Sequence, residues 1–300
     1  MKPFFSDRTN AVLGLILTSL FWATNIIVSK WAVDMMPPFS LNFWRWFTAG
    51  IILIPWTYLD LIRYWPEIKR NWLQLVLFGM LGVSAYNSLL YNAAHSTSSM
   101  NIAVIGTMTP VIAFLFSWLL FRVAPTRYQG LGIVLGLSGV LLIIVEGQWS
   151  RLLQLQVQAG DLWMMSAITA WALYTVLLRK KKAVLPSRVF LQITIIFGVM
   201  VTLPIMLWET SQTPAFELNW KLFAMIAYIG VFPSLLAYSL WNHGVLMLGA
   251  NTAVLFMYTL PVFAAILSVF VLGESIHWFH IAGQLLVFSG FYAAVLLPKK

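Results

Sequence analysis

Residues 103–111 read AVIGTMTPV, and residues 253–262 read AVLFMYTLPV. The second copy inserts one residue ahead of its proline; otherwise the two are offset by 150 positions. Outward from this pair, about the same offset relates Phe21-Trp22-Ala23 to Ala170-Trp171-Ala172, Lys30 to Arg179 and Tyr91-Asn92 to Trp241-Asn242. It also relates Gly132 and Ser138-Gly139 to Gly283 and Ser289-Gly290. The chain therefore reads as a duplication, with residues 1–150 as one unit and 151–300 as the other, together forming one domain.

Each unit carries five long apolar stretches. With 61% hydrophobic and 9% charged residues, the chain departs from soluble domains, where about 25% of residues are charged, so its apolar surface must face lipid. At roughly 20 residues per span, the stretches fall at 11–30, 40–59, 71–92, 100–120, 127–145, 160–179, 187–208, 220–243, 249–272 and 277–297. Because hydrocarbon cannot satisfy backbone N–H and C=O groups, these are expected to be helices, and the alternation of a membrane barrel is absent. Five spans begin and end on opposite sides of a bilayer, so a second copy fused behind the first is inverted. The expected fold is all-α and integral to the membrane, ten transmembrane helices in two inverted five-helix repeats, the architecture of secondary transporters.

Little remains outside the spans. The longest leftovers, Leu59–Asn71, Glu146–Gly160 and Glu209–Asn219, resemble no catalytic or binding domain. The first stretch follows Lys2 and Arg8 like a secretory signal, but it continues through Trp22 and Trp31 without a small-residue cleavage pattern and is read as a retained helix. The absence of cysteine excludes disulfides and thiolate metal sites. A net charge of +9 could indicate nucleic acid, but its distribution reads as topology. With the N-terminus inside, the inner segments hold Lys2, Arg8, Arg63, Lys69, Arg70, Arg122, Arg127, Arg179, Lys180, Lys181, Lys182, Arg188, Lys299 and Lys300, fourteen of the 18 basic residues. The positive-inside rule then places both termini in the cytoplasm, the expected membrane being the inner (plasma) membrane.

The pattern resembles the drug/metabolite transporter superfamily, specifically its EamA-like ten-helix exporters. The resemblance covers nearly the whole chain and rests on Phe21-Trp22-Ala23-Thr24-Asn25 through Ser29-Lys30, Phe43-Trp44-Arg45-Trp46-Phe47, Thr109-Pro110-Val111, and Leu260-Pro261-Val262-Phe263-Ala264-Ala265 through Leu272-Gly273-Glu274. The first repeat departs from the second at Leu120-Phe121-Arg122-Val123, where no Glu matches Glu274. The aromatic-rich spans look most like the branch that exports aromatic and other amino acids. The resemblance further implies that the first, third, fourth, sixth, eighth and ninth spans line the cavity.

Arg45 is the one formally charged residue well inside a span. Such a residue costs at least ~2.5–3.5 kcal/mol at a helix centre and must face a partner or a wet cavity. It either holds a substrate carboxylate or caps helix-end carbonyls and locks the second span; the structural role is favoured, because the resembled family carries an Arg here across many substrates. Pro110 and Pro261 are expected to kink the fourth and ninth spans by freeing the carbonyls of Gly106 and Met257. Kinks at matching places in two repeats point to the binding site, with the prolines as hinges; the plainer reading is membrane prolines satisfied by neighbours.

Aromatic and amide side chains recur on single helix faces: Trp22, Asn25 and Ser29; Tyr86, Asn87 and Tyr91; Trp163, Ser166, Trp171 and Tyr174; Tyr238, Trp241 and Asn242; with Tyr258 from the ninth span. Converging on a cavity, they would offer ring faces to a flat solute and amides to its polar end. Against this, many of the 15 Trp are interfacial anchors, as Trp31, Trp56, Trp65, Trp149 and Trp278 are read here, and Asn serves as interhelical glue.

His95, His243, His277 and His280 are too scattered for a metal site, and no cofactor is implied. Asp34, Glu146, Asp161, Glu209, Glu217 and Glu274 all fall near the outer surface, which weakens proton relay by a buried carboxylate. The partners expected are a small-molecule substrate and membrane lipid, not nucleic acid. The glycine-bearing fifth and tenth spans pack at the periphery or against a second subunit, leaving a homodimer open. The reading is an exporter of amphiphilic, zwitterionic metabolites, amino acids first, with nucleobases, vitamins or drugs as rivals and a membrane-embedded enzyme disfavoured for want of a nucleophile and base at depth.

Overall fold

The computed structural model describes residues 7–213, 216–217, 219–272 and 277–296. Lys2, Gly273, Glu274, Lys299 and Lys300 lie outside the described residues, as do the side chains of Lys30 and His95. Among the described residues, ten long helical segments follow one another: α1 (Asp7–Val33), α2 (Pro38–Arg63), α3 (72–96), α4 (99–121), α5 (Arg127–Ile144), α6 (Ala159–Leu178), α7 (Ser187–Gln212), α8 (220–248), α9 (250–272) and α10 (278–296). Among the described residues there is no strand.

Eight of these, α1 and α3 to α9, are long and apolar enough to cross a membrane. The expected ten are not reached on that measure. Although α2 is 26 residues long, Ser40, Asn42 and Arg45 make its first half polar, while α10 has a 14-residue α-helical part, Trp278–Phe291, ending in a π turn. A second difference concerns Leu59–Asn71, expected to lie between spans. Instead α2 continues to Arg63 with Pro55 inside it, and a short helix, Trp65–Arg70, follows with a proline in its first turn, where the missing N–H costs no bond.

Several helices are interrupted at corresponding places. In α3, a π segment at Gly79–Ala85 separates Trp72–Phe78 from Tyr86–Ser96; in α8, another at Val231–Leu236 separates Trp220–Gly230 from Ala237–Leu248. Widening of the second absorbs Pro233, whose ring and missing donor would break a regular α turn. In the first, an added Cβ at Gly82 would stand 2.6 Å from the Tyr174 ring, so only glycine lets α6 come this close. The helix α4 breaks at Thr107-Met108, and α9 passes through a 3-10 turn at Leu255–Tyr258.

Packing obeys the same exchange of halves. α1 lies along α8 as α6 lies along α3, and α1 meets α9 as α6 meets α4. The remaining pairs, α2 with α7 and α5 with α10, each join equivalent helices. The α5–α10 contact is backbone on backbone: a Cβ at Gly139 would be 2.5 Å from the Gly283 carbonyl oxygen, and one at Gly283 would be 2.7 Å from that of Gly139. The glycine faces of α5 and α10, expected to pack at the periphery or against a second subunit, pack against each other.

Polar latches mark the two ends. At one, the 179–186 loop docks on the Trp65–Arg70 helix, with Val184 N–H donating to Glu67 Oε1 (3.1 Å), Lys182 N–H to Gln74 Oε1 (2.7 Å), and Arg188 pairing with Asp60 (2.7 Å). Lys181 lies against the Phe190 ring at 4.6 Å, and burial lowers its pKa. At the other end, Asp161 accepts from Thr97 Oγ1, Asn101 Nδ2 and the Gln158 N–H. Glu209, in the last turn of α7, is buried: its carboxylate caps α2, accepting from Phe39 N–H (3.0 Å), Ser40 N–H (2.8 Å) and Ser40 Oγ (2.9 Å). Unsatisfied amides at a helix start are an anion site, and α7 supplies the anion.

Candidate functional site

Where α1, α3, α6 and α8 meet, aromatic rings pack on one another. Trp171 is the centre, with ring centroids 5.2 Å from Trp22, 5.2 Å from Tyr174, 5.3 Å from Tyr238, 5.4 Å from Trp241 and 5.4 Å from Tyr86. The Tyr174 contact is stacked and the Trp22 and Tyr238 contacts edge-on, the geometries ring quadrupoles favour. The faces expected to line a cavity here cover each other.

The polar tips of these rings are placed by the interrupted helices. Trp22 Nε1 donates to the Pro233 carbonyl (3.1 Å) and Tyr238 OH to that of Gly82, so each π segment supplies an acceptor to the opposite half. Tyr174 OH donates to Asn242 Oδ1 (2.9 Å), and Trp241 Nε1 to Thr175 Oγ1 (3.2 Å). The Nε1 of Trp171 is buried without a partner.

Beside the rings lies Arg45, only 1% exposed. Its Nε donates to Ser234 Oγ (3.0 Å), and its Nη1 to Asn87 Oδ1 (3.2 Å) and Tyr91 OH (3.2 Å). The guanidinium carbon is 5.4 Å from the Trp46 ring, which in turn packs edge-on against Tyr238 at 4.7 Å. Arg45 thus ties α2 to α3 and α8 through side chains. Its partners are a hydroxyl, an amide and a phenol, not the helix-end carbonyls expected of a capping role.

Of the residues singled out from sequence, Trp22, Tyr86, Trp171, Tyr174, Tyr238 and Asn242 share the aromatic cluster, while Asn87 and Tyr91 join Arg45. Asn25 is half-buried one turn along α1, accepting from Ser29 Oγ (3.1 Å). Two do not join. Trp163 is 48% exposed near the start of α6, and Tyr258 packs its ring where Gly136 of α5 leaves space, its hydroxyl unpaired. Trp163 stands eight residues before Trp171 at the start of α6, and Tyr258 faces α5 instead of the cluster.

Pro110 and Pro261 each lie in the first turn of a new segment, Thr109–Phe121 and Thr259–Leu272. The break is therefore upstream of each proline. Of the two carbonyls expected to be freed, that of Gly106 accepts from Thr109 Oγ1 (2.8 Å); in α9, Thr259 Oγ1 reaches the Phe256 carbonyl (2.7 Å). Trp46 and Ser234 were not singled out from sequence. Trp46 was legible only as part of the motif around Arg45, and Ser234 had no signal, since its hydroxyl reaches Arg45 through the π turn that also lets it donate to the Ile229 carbonyl five residues back (2.7 Å).

Among the described residues, eight helices long and apolar enough to cross a membrane fit a multi-pass membrane protein. The chain belongs to the EamA-like transporter family, within the drug/metabolite transporter superfamily: the family model matches residues 9–145 and again 158–296. It is similar to the "Uncharacterized transporter YyaM" of Bacillus subtilis (strain 168), 27% identical over 297 residues, 97% of this chain and 96% of that protein. The WAT1-related protein At5g47470 of Arabidopsis thaliana is 21% identical, over 100% of this chain and 89% of its own. A solved crystal structure shares the fold with a TM-score of 0.77 at 18% identity, covering 96% of this chain and 97% of that one.

Proposed function

We propose that the protein exports small amphiphilic metabolites, amino acids including aromatic ones first among them, across the inner (plasma) membrane. The observation that carries this reading is the contact between the ring cluster around Trp171 and the Arg45 network, through Trp46 and Tyr238. A solute with a flat apolar end and a polar end matches such a boundary, gaining about 0.5–1.5 kcal/mol per ring pair beyond burial. Transport proceeds by alternating access: ten spans form two inverted five-helix units, 1–150 and 151–300, and the halves rock about the site. The reading draws support from the exchange of packing partners between halves, the matched interruptions in α3 and α8 and in α4 and α9, and the two matches of one family model.

Both termini are proposed to be cytoplasmic. In support, the basic segments at 63–70 and 179–188 touch at one end. A cysteine-free background makes labelling direct. Val184, 80% exposed, is a better probe than the half-buried Lys181; outside labelling of Val184→Cys in intact cells by an impermeant thiol reagent would overturn the topology.

The transport assay is uptake into sealed vesicles containing the purified protein, across amino acids and nucleobases. Accumulation of aromatic amino acids above protein-free vesicles is expected. Accumulation of nucleobases alone would replace the amino-acid reading with its rival.

A further inference from the structure

Arg45 is a buried cation in neutral surroundings. Its Nε and Nη1 are occupied by Ser234, Asn87 and Tyr91, but among the described residues Nη2 has no acceptor and no carboxylate lies within ion-pair distance. Around it, Trp46 Nε1 is buried without an acceptor, and Trp171 Nε1, beyond Tyr238, is likewise orphaned. All of these are donors. The orphaned acceptor on this stretch of α2, Asn42 Oδ1, lies three residues earlier, its own amide N–H groups turned to Val83, Ser84 and Ser88.

A buried charge without a counter-ion is among the least favourable arrangements in a protein, and orphaned buried donors add to it. What the site lacks is an acceptor bearing negative charge. Charge balance sets how much: one guanidinium neutralises one charge, so a dianionic phosphate would leave an excess, whereas a carboxylate matches the charge and the planar fork. The acids of the described structure are spoken for or lie at helix ends: Glu209 caps α2, Asp161 caps α6, and Asp60, Glu67 and Glu146 pair with arginines. An ammonium group entering with the solute therefore meets ring faces and no anion.

We infer that the pole recognised at Arg45 is a single carboxylate of charge −1, and that an ammonium group on the same solute is not required. This rests on the transport-site reading above and narrows it: aromatic monocarboxylates without an amino group fit as well as amino acids.

The test compares three probes on the purified full-length chain in lipid nanodiscs at pH 7, read by tryptophan fluorescence and thermal shift. These are phenylalanine, 3-phenylpropionate (no ammonium) and phenethylamine (no carboxylate). Phenylalanine and 3-phenylpropionate are expected to bind alike, and phenethylamine at least about thirty-fold more weakly, as expected when a buried charge loses its partner. Phenethylamine binding as tightly as phenylalanine overturns the inference while leaving amino-acid export standing. Binding of 3-phenylpropionate without phenylalanine sinks amino-acid export and keeps the inference. Silence from both carboxylates overturns the inference.

Asn87→Asp supplies an internal counter-ion next to Nη1. It is expected to raise the melting temperature and weaken 3-phenylpropionate at least about tenfold, a change of about 1.4 kcal/mol. Unchanged affinity in a folded Asn87→Asp protein would make Arg45 a helix clamp alone. Should that variant fail to fold, the three-probe comparison on the parent chain still decides.

Discussion

The α5–α10 pair and the α3–α8 pair are built on opposite principles. In α5 and the α-helical part of α10 the backbones run without a break through their contact, and glycines bring them together until each carbonyl occupies the space of the other's missing Cβ. In α3 and α8 the backbone is interrupted by π segments, and bulky rings are held by hydrogen bonds to carbonyls of the widened turns. Close backbone contact has one good arrangement and resists sliding. A π segment has a nearby α alternative, since losing one residue from the turn restores regular geometry, so α3 and α8 are where a second arrangement is accessible. The contrast separates a helix pair held by backbone contact from one held by side chains, and on the proposed alternating-access reading the first would hold while the second changes.

The sharpest break comes from the ring centre. Trp171→Ala removes five ring contacts at once and is expected to cost about 3–5 kcal/mol of stability. In transport it should weaken aromatic solutes more than small aliphatic ones, whereas Asn25→Leu should weaken both. Equal loss for all solutes with Trp171→Ala would make the cluster packing alone. Trp171→Phe keeps a ring and removes the orphaned N–H, so thermal unfolding should show a much smaller loss than for Ala.

The glycine pair is next. Gly139→Ala should cost about 1–3 kcal/mol by overpacking, because its Cβ would meet the Gly283 backbone oxygen, which has no rotamer to escape into. Gly130, on the same helix, has nothing within 4 Å of an added Cβ; Gly130→Ala should stabilise by up to about 1 kcal/mol through helix propensity. Melting curves of the two variants give shifts of opposite sign if the α5–α10 contact is as close as described.

Smaller effects are expected at the breaks and latches. Replacing both Pro110 and Pro261 by Ala lets α4 and α9 straighten; a barrier change of about 1 kcal/mol would slow vesicle counterflow about five-fold, with expression and melting temperature unaffected. A double variant at the parent rate would show the prolines to be tolerated, not pivots. Arg188→Ala, which opens a largely exposed ion pair with Asp60, should shift stability by less than about 1 kcal/mol and less still in high salt. A larger loss of transport than of stability there would move the 179–186 latch from the holding part of the molecule to the changing part.

Much was decided by sequence alone. The helix boundaries were legible within a few residues because a bilayer sets the length of an apolar run and charge ends it. The two matches of the family model were legible because similar residues recur in the same order in both halves, and the family followed from Trp22, Arg45, Pro110 and Pro261 in their places. The ring faces of α1, α3, α6 and α8 were legible from helical spacing, which gives direction around an axis. Depth along the axis, and which face meets which, are properties of packed helices. Trp163 and Tyr258 therefore stood apart from the cluster, and Trp46 and Ser234 entered it unannounced. The buried cap made by Glu209 also belongs to the tertiary structure. It satisfies backbone N–H groups with a side chain whose nearness depends on the fold, Glu209 coming from 170 residues away. Local sequence carries period and polarity, whereas the pairing of donors with acceptors across helices is settled only when all ten lie side by side.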